Sequence, residues 1–482
     1  MGGLIQLVAY GEQDVYLTGD PKVTFFQAVY KRHTNFAIEC IQQTVNGSSV
    51  GNSARVSVVV ARNGDLIGEM YIDLLMADPG AGSIQSGYST TAGVWDGTSW
   101  MAERAIQDIE LSIGGQKIDK HYQRWWRLYS ELFLDETKKA AYGKMTSAPV
   151  LQTSTTNTGG KGQVMLPLIF FFNRNPGLYL PLIALQYHEV RIDFDISSEY
   201  ETYFNKNYFN VWGNYVFLDS EERTRFAQKS HEYLIEQVQY TGASALPATP
   251  GNQNLTRITY NHPVKELVFC VTQNKSGGKN LWDFTRDADT TNRVIISTSP
   301  ILGNTFVSNV NSQKTVFIPT DLNTANIYAI LSNTLVTSNF MMPISYSTGV
   351  PMQYLPSRQS QPYQWVEEGD ATNTSYGPIA QFKLLINGQD RMKFNSGKYF
   401  NQMQPFNHHS GNPYPGIYCY SFALKPEQHQ PSGTCNFSRV DNAQAVVHLK
   451  PNCPAGSFLE MFAVNYNVLR IEAGMGGLAF SN

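Results

Sequence analysis

The sequence predicts an all-β chain: two β-sandwiches in series, joined by a short helix. Three observations carry that prediction. Short strand-like runs are punctuated by Gly and Pro turns, one order of elements occurs twice, and a polar helical stretch lies between the two occurrences. In the first occurrence Met70-Tyr-Ile-Asp-Leu-Leu-Met76 is a β-type apolar run. Ile109, Leu111 and Ile113 then alternate with Glu110 and Ser112, the period of a half-buried strand. Gly114-Gly115 turns the chain into Gln116-Lys-Ile-Asp119. The run from Val164 to Phe172, broken by Pro167, reads as a strand entering the turn Asn173-Arg-Asn-Pro-Gly177. Val190, Ile192, Phe194 and Ile196 alternate with charged residues, and Asn214-Tyr-Val-Phe-Leu218 closes the half.

The second occurrence repeats the order. Val264-Lys-Glu-Leu-Val-Phe-Cys270 opens it, and Leu384 and Ile386 lead into the hairpin Asn387-Gly388. Tyr418–Leu424 runs into a proline loop, Ala445–Leu449 follows, and Asn465-Tyr-Asn-Val-Leu469 closes. This last run matches Asn214–Leu218 at three positions. Each half has the length of a jelly roll with long loops.

Between the halves, Asp219–Lys229 is polar and helix-compatible, with Ser220 as the expected N-cap and acids in the first turn. The expected boundaries are a segment 1–30, a first sandwich 31–218, a linker helix 219–230 and a second sandwich 231–482 with an excursion over about 272–381. Two further helices are expected. Phe25, Phe26, Val29 and Tyr30 have helical spacing within Thr24–Arg32, as do Tyr122, Trp125, Trp126, Tyr129, Leu132 and Phe133. The second, aromatic helix is expected either to pack into the core or to seal a subunit interface.

Composition narrows the function. The 482 residues are 42% hydrophobic but only 16% charged, with 27 Tyr and 26 Phe, so the chain builds real cores and has much surface to bury. Lys plus Arg number 36 against 39 acids, and neither end carries a basic cluster, so direct nucleic-acid contact is not expected. No apolar run spans a membrane, and the first residues lack the charged region and cleavage site of a secretory signal. The five cysteines, Cys40, Cys270, Cys419, Cys435 and Cys453, have no paired spacing and are expected to be reduced, small buried residues.

No catalytic, cofactor or metal constellation is expected. His188-Glu189 and His231-Glu232 lack the second histidine of a zinc motif. Lys161, Lys279 and Lys398 are not followed by Ser or Thr, as a phosphate loop requires. Gly474-Met-Gly-Gly477 is expected to be a flexible tail. His408-His409 reads as two loop histidines, because no ligand partner lies at local spacing. Asn-x-Ser/Thr triplets begin at Asn46, Asn254, Asn274, Asn373 and Asn436; Asn274 and Asn373, in the long excursion, are the better glycosylation candidates. A receptor- or glycan-binding sandwich and a sandwich hydrolase are the rival readings to a structural protein.

Longer motifs narrow this further. Gly3-Leu-Ile-Gln-Leu-Val-Ala-Tyr-Gly-Glu-Gln-Asp-Val-Tyr-Leu-Thr-Gly19, with Thr24-Phe-Phe26 and Arg32-His-Thr-Asn-Phe36, strongly resembles the opening of the major capsid proteins of nucleocytoplasmic large DNA viruses. Ile113–Asp119, Phe170–Gly177, Leu180–Glu189, Pro431–Arg439, Tyr466–Arg470 and Gly474–Phe480 are similar to the same family, nearly end to end. The resemblance implies two consecutive eight-stranded antiparallel jelly rolls and homotrimers that form pseudo-hexagonal capsomers of an icosahedral shell. It implies contact with neighbouring capsomers and with minor capsid and penton proteins, and proximity to an internal viral membrane. It also implies an amino-terminal segment on the inner, basal side, apical loops outward, assembly in the host cytoplasm, and no catalytic residues or cofactors.

Overall fold

The computed structural model describes residues 2–47, 49–76, 100–146, 163–246, 253–273, 284, 293–299, 304–309, 314–319, 364–367, 376–411, 413, 416–450 and 456–480. Eight main strands build the first sandwich, with Val45–Gly47 and Leu180–Pro181 as short additions: β1 (Phe36–Gln43), β2 (Arg55–Val59), β3 (Leu66–Met76), β4 (Ile106–Ile113), β5 (Gln116–Tyr122), β6 (Gln163–Pro167), β7 (Val190–Ile196) and β8 (Phe204–Leu218). One sheet runs β1-β8-β3-β6 and the other β2-β7-β4-β5, all antiparallel. Eight more follow: β9 (His231–Ala245), β10 (Gln253–Ile258), β11 (Pro263–Gln273), β12 (Ile379–Ile386), β13 (Gln389–Asp390), β14 (Ile417–Ser421), β15 (Ala443–Leu449) and β16 (Ser457–Glu472). Their sheets run β9-β16-β11-β14 and β10-β15-β12-β13. Each of the eight main strands of the first sandwich has a counterpart eight strands later in the same sheet position. The twofold order in the sequence is thus a twofold topology, a double jelly roll.

Both halves turn their hairpins with the same device. Gly114 and Gly115 have φ of +57° and +80°, and Asn387 and Gly388 have +52° and +78°. Paired left-handed residues match the right-handed strand twist, which is why Gly and Asn stand there. A Cβ on Gly114 would lie 2.3 Å from His188 Nδ1, whereas one on Gly115 meets nothing within 4 Å. Gly115→Ala is therefore expected to cost about 1–2 kcal/mol for its backbone alone. Gly114→Ala should cost more in the same urea titration; equal costs would mean that the His188 ring yields freely.

The strand sequences follow their burial. β1 is an edge strand, and most of its side chains are exposed. The centre of β11, residues 267–271, is apolar throughout because both its faces are covered. Leu267, Phe269 and Val271 point into the second sandwich with Phe382 and Leu384, while Val268 and Cys270 join the core of the first. Between β11 and β12, residues 293–299, 304–309, 314–319 and 364–367 pair as a four-stranded antiparallel sheet that includes the predicted strand Arg293–Ser297.

Four local expectations are corrected. The Val164–Phe172 strand stops at Pro167, and Phe171–Arg174 is a helical turn. Asn173 Oδ1 accepts from Phe170 N at 3.1 Å, and its amide donates to Gly68 O at 2.8 Å, so the turn buries all three phenylalanines. The linker helix, Ser220–Gln228, is capped by Asp219, whose carboxylate accepts from Ser220 N at 2.8 Å; Ser220 is its first helical residue. Thr24–Arg32 forms no helix. A stretch that short is marginal in water, and its apolar stripe finds no surface of its own chain to cover it. Finally, the glycine-rich end is ordered: Met475–Leu478 pairs with β16, and Tyr187 N donates to Gly474 O at 3.0 Å.

Candidate functional site: the seam and the exposed arm

The sheet β9-β16-β11-β14 lies against the first sandwich, and its outer residues continue that sandwich's core. Ile235, Val268, Cys270, Ile417, Cys419, Phe462, Val464, Leu469 and Ile471 all belong to it. The aromatic helix, Gln123–Leu132, fills this seam. Trp125 lies 5.7 Å from Phe462 between ring centroids, and Tyr122 lies 4.8 Å from Tyr240. Within one chain the helix is therefore core packing between the sandwiches.

Polar pairs fix the register of the seam. Val238 N donates to Asp119 Oδ1 at 3.0 Å, and Asp119 also holds His121 at 2.9 Å. Arg124 pairs with Glu460 at 2.9 Å. Glu236 takes Arg174 at 3.0 Å and also the buried ammonium of Lys265. Burial alone would raise the Glu236 carboxyl, but Arg174 and Lys265 together hold it below the usual carboxylate range. The carboxy-terminal strand adds a clasp: His188 Nδ1 lies 2.9 Å from Gly476 O and 3.2 Å from Gly476 N, and Leu478 N donates to Gln116 Oε1 at 3.1 Å.

His408 and His409 part company. His408 bonds Leu424 O at 3.1 Å near the surface. The His409 side chain is fully buried, against Glu266 and Cys419. Local spacing could not show this, because Glu266 is 143 residues away and strand pairing delivers it. Burial would lower the His409 imidazole, but the Glu266 carboxylate outweighs it and holds the group well above its ordinary value. Among the other cysteines, Cys40 is exposed on the edge strand β1, contrary to the expectation of burial, and Cys453 lies outside the described residues. Asn254 is buried on β10 and is no glycan acceptor in this fold; Asn46 and Asn436 are exposed. Asn274 and Asn373 lie outside the described residues.

The amino-terminal arm is the opposite of the seam. Leu4, Ile5, Leu7 and Val8, on the helix Gly2–Val8, are all exposed, as are Tyr16, Leu17, Val29 and Tyr30. Phe25 and Phe26 are 94% and 99% exposed. So many exposed apolar side chains on one short segment mark an interaction site. No helix among the described residues is long and apolar enough to cross a membrane.

Comparison with known proteins places this architecture. The family "Large eukaryotic DNA virus major capsid protein" matches residues 222–477, and "Major capsid protein N-terminus" matches 24–219. The major capsid protein of Paramecium bursaria Chlorella virus 1 is 38% identical over the whole of both chains. This chain belongs to the major capsid protein family of large eukaryotic DNA viruses. The major capsid protein of Phaeocystis pouchetii virus is 35% identical, again over the whole of both chains. The capsid chain of the PBCV-1 structure superposes with a TM-score of 0.68 at 34% identity, over 95% of this chain and 100% of that one. The Faustovirus major capsid protein shares the fold at a TM-score of 0.60 and 13% identity, over 96% of this chain and 94% of that one. A major capsid protein is structural and not an enzyme, it resides in the virion capsid, and it associates with its own kind.

Proposed function

We propose that three copies of this capsid protein associate into a pseudo-hexagonal capsomer, and that capsomers tile an icosahedral shell. The observation that carries the reading is the matched strand order of the two sandwiches, fixed to one another by a buried seam. Three copies of a chain with two similar sandwiches present six similar corners, and such a unit packs hexagonally through near-equivalent edges. The exposed arm supports the same reading, since a neighbouring copy would cover it. In this arrangement residues 1–30 lie on the basal side, facing minor capsid and penton proteins and an internal membrane. The excursion of about 272–381 faces outward, and assembly takes place in the host cytoplasm. The net charge of −3 lets like subunits approach without strong repulsion.

Light scattering on the purified chain tests the reading. The expected mass is three times the 54.0 kDa of the chain. A monomer at all concentrations up to those of a crystallisation drop would overturn it. The paired substitution Phe25→Asp and Phe26→Asp is expected to weaken self-association without lowering the melting temperature of the monomer, because neither ring touches the sandwich cores. An unchanged trimer would remove the arm from the contact.

A further inference from the structure

We propose that Glu266, His409 and Cys419 form a binding site for a borderline-soft divalent cation, of which Zn²⁺ is the type. The carboxylate oxygen, imidazole nitrogen and thiol sulfur lie within 4.8 Å of one another. Around a tetrahedral zinc ion such atoms stand roughly 3.3–3.8 Å apart, so the wider separations would close by up to about 1.5 Å and the direct Glu266–His409 contact would open to admit the ion.

Three separate segments supply the donors. Glu266 lies on β11 and Cys419 on β14, and the register pairs Glu266 with Ser421 and Val268 with Cys419. Glu266 and Cys419 are thus diagonal neighbours on one face of the sheet, the seam face, within reach of a long side chain. His409 follows the helix Gln404–His408, which brings its ring down onto that face, edge-on to Phe133 at 5.0 Å.

Two further observations point to a ligand. Glu266 Oε2 is buried and has no hydrogen-bond partner, although a carboxylate can accept several. His409 turns Nε2 toward Glu266, while Nδ1 lies 3.3 Å from Glu427. An ion would take the place of the Nε2 proton that now meets Glu266, and Glu427 would then face the proton left on Nδ1, the carboxylate–histidine–metal arrangement of many zinc sites. A donor set of one sulfur, one nitrogen and one oxygen selects zinc over calcium or magnesium, which take oxygen ligands. Binding displaces the thiol proton of Cys419 and any proton on Nε2 of His409, and water fills the fourth position. The ion would tie β11, β14 and the loop together beside the seam, a structural site inside the subunit.

The test uses the full chain with added Zn²⁺ or Co²⁺ alone. The expected result is zinc uptake in proportion to the chain, a rise in melting temperature, and a thiolate-to-cobalt charge-transfer band with Co²⁺. Cys419→Ser is expected to abolish the band, and Glu427→Gln to weaken affinity about 10–100-fold. Serine at Cys40, Cys270, Cys435 or Cys453 should leave the band in place. Should Cys419→Ser fail to fold, those four variants still assign the band by elimination. No uptake, no band in the unsubstituted chain, or a band that survives Cys419→Ser would overturn the proposal and leave a bare buried ion pair between His409 and Glu266.

Discussion

Replacing Glu236 with alanine is expected to destabilise the chain by about 3–5 kcal/mol, the cost of leaving a buried charge without its partner. The Lys265 side chain is 1% exposed, and apart from Glu236 its ammonium reaches Pro426 O at 2.7 Å. Arg174, with 25% of its side chain exposed, can turn toward solvent; Lys265 cannot. Urea denaturation measures the loss, and a change below about 1 kcal/mol would show that water reaches the pair. Removing both charges together, as Glu236→Leu with Lys265→Met, is expected to recover most of the loss, because no uncompensated ion remains. The pair also sets an acid limb. Glu236 titrates below its ordinary 4.5 in the folded chain, so its contribution is complete above that value and is lost as pH falls through the depressed one. Melting temperature should fall more steeply below pH 4.5 in the unsubstituted chain than in Glu236→Ala.

Phe462→Ala is expected to cost a similar 3–5 kcal/mol. Phe462 is fully buried, stacks on Tyr240 at 4.5 Å with the planes 10° apart, and meets Trp125 from the first sandwich. The backbones on either side are held by their own sheets, so the cavity cannot collapse. Guanidinium unfolding checks the size of the effect. A loss under about 1 kcal/mol would mean that the seam repacks and that the two sandwiches are less firmly joined than their shared core implies.

Strand and hairpin signals were legible wherever a short-range period or a left-handed turn dictated them. Alternation gave β4 and β7, Gly114-Gly115 and Asn387-Gly388 gave the two hairpins, and the apolar runs at Met70 and Val264 gave the strands buried on both faces. The repeated order of those signals revealed the tandem. What could not be read depended on distant residues. Helical spacing at Phe25–Tyr30 looked sufficient, but a helix needs a surface to lie on and the chain provides none there. The glycines at 474–477 looked mobile because the surface that orders them belongs to residues 113–188. His409 looked like a loop histidine because its partner Glu266 arrives by β11–β14 pairing. The aromatic helix left two readings open, since burial in a core and burial in an interface ask for the same residues.

The clasp between His188 and Gly476 has a consequence for synthesis. The two residues are 288 positions apart. At about 5–20 residues per second, a ribosome needs roughly 15–60 s to make the second after the first. For that interval the surface around Gln116 and His188 stays uncovered on the nascent chain. Premature encounters with other copies are then most hazardous, and closure waits until Gly476 has been made.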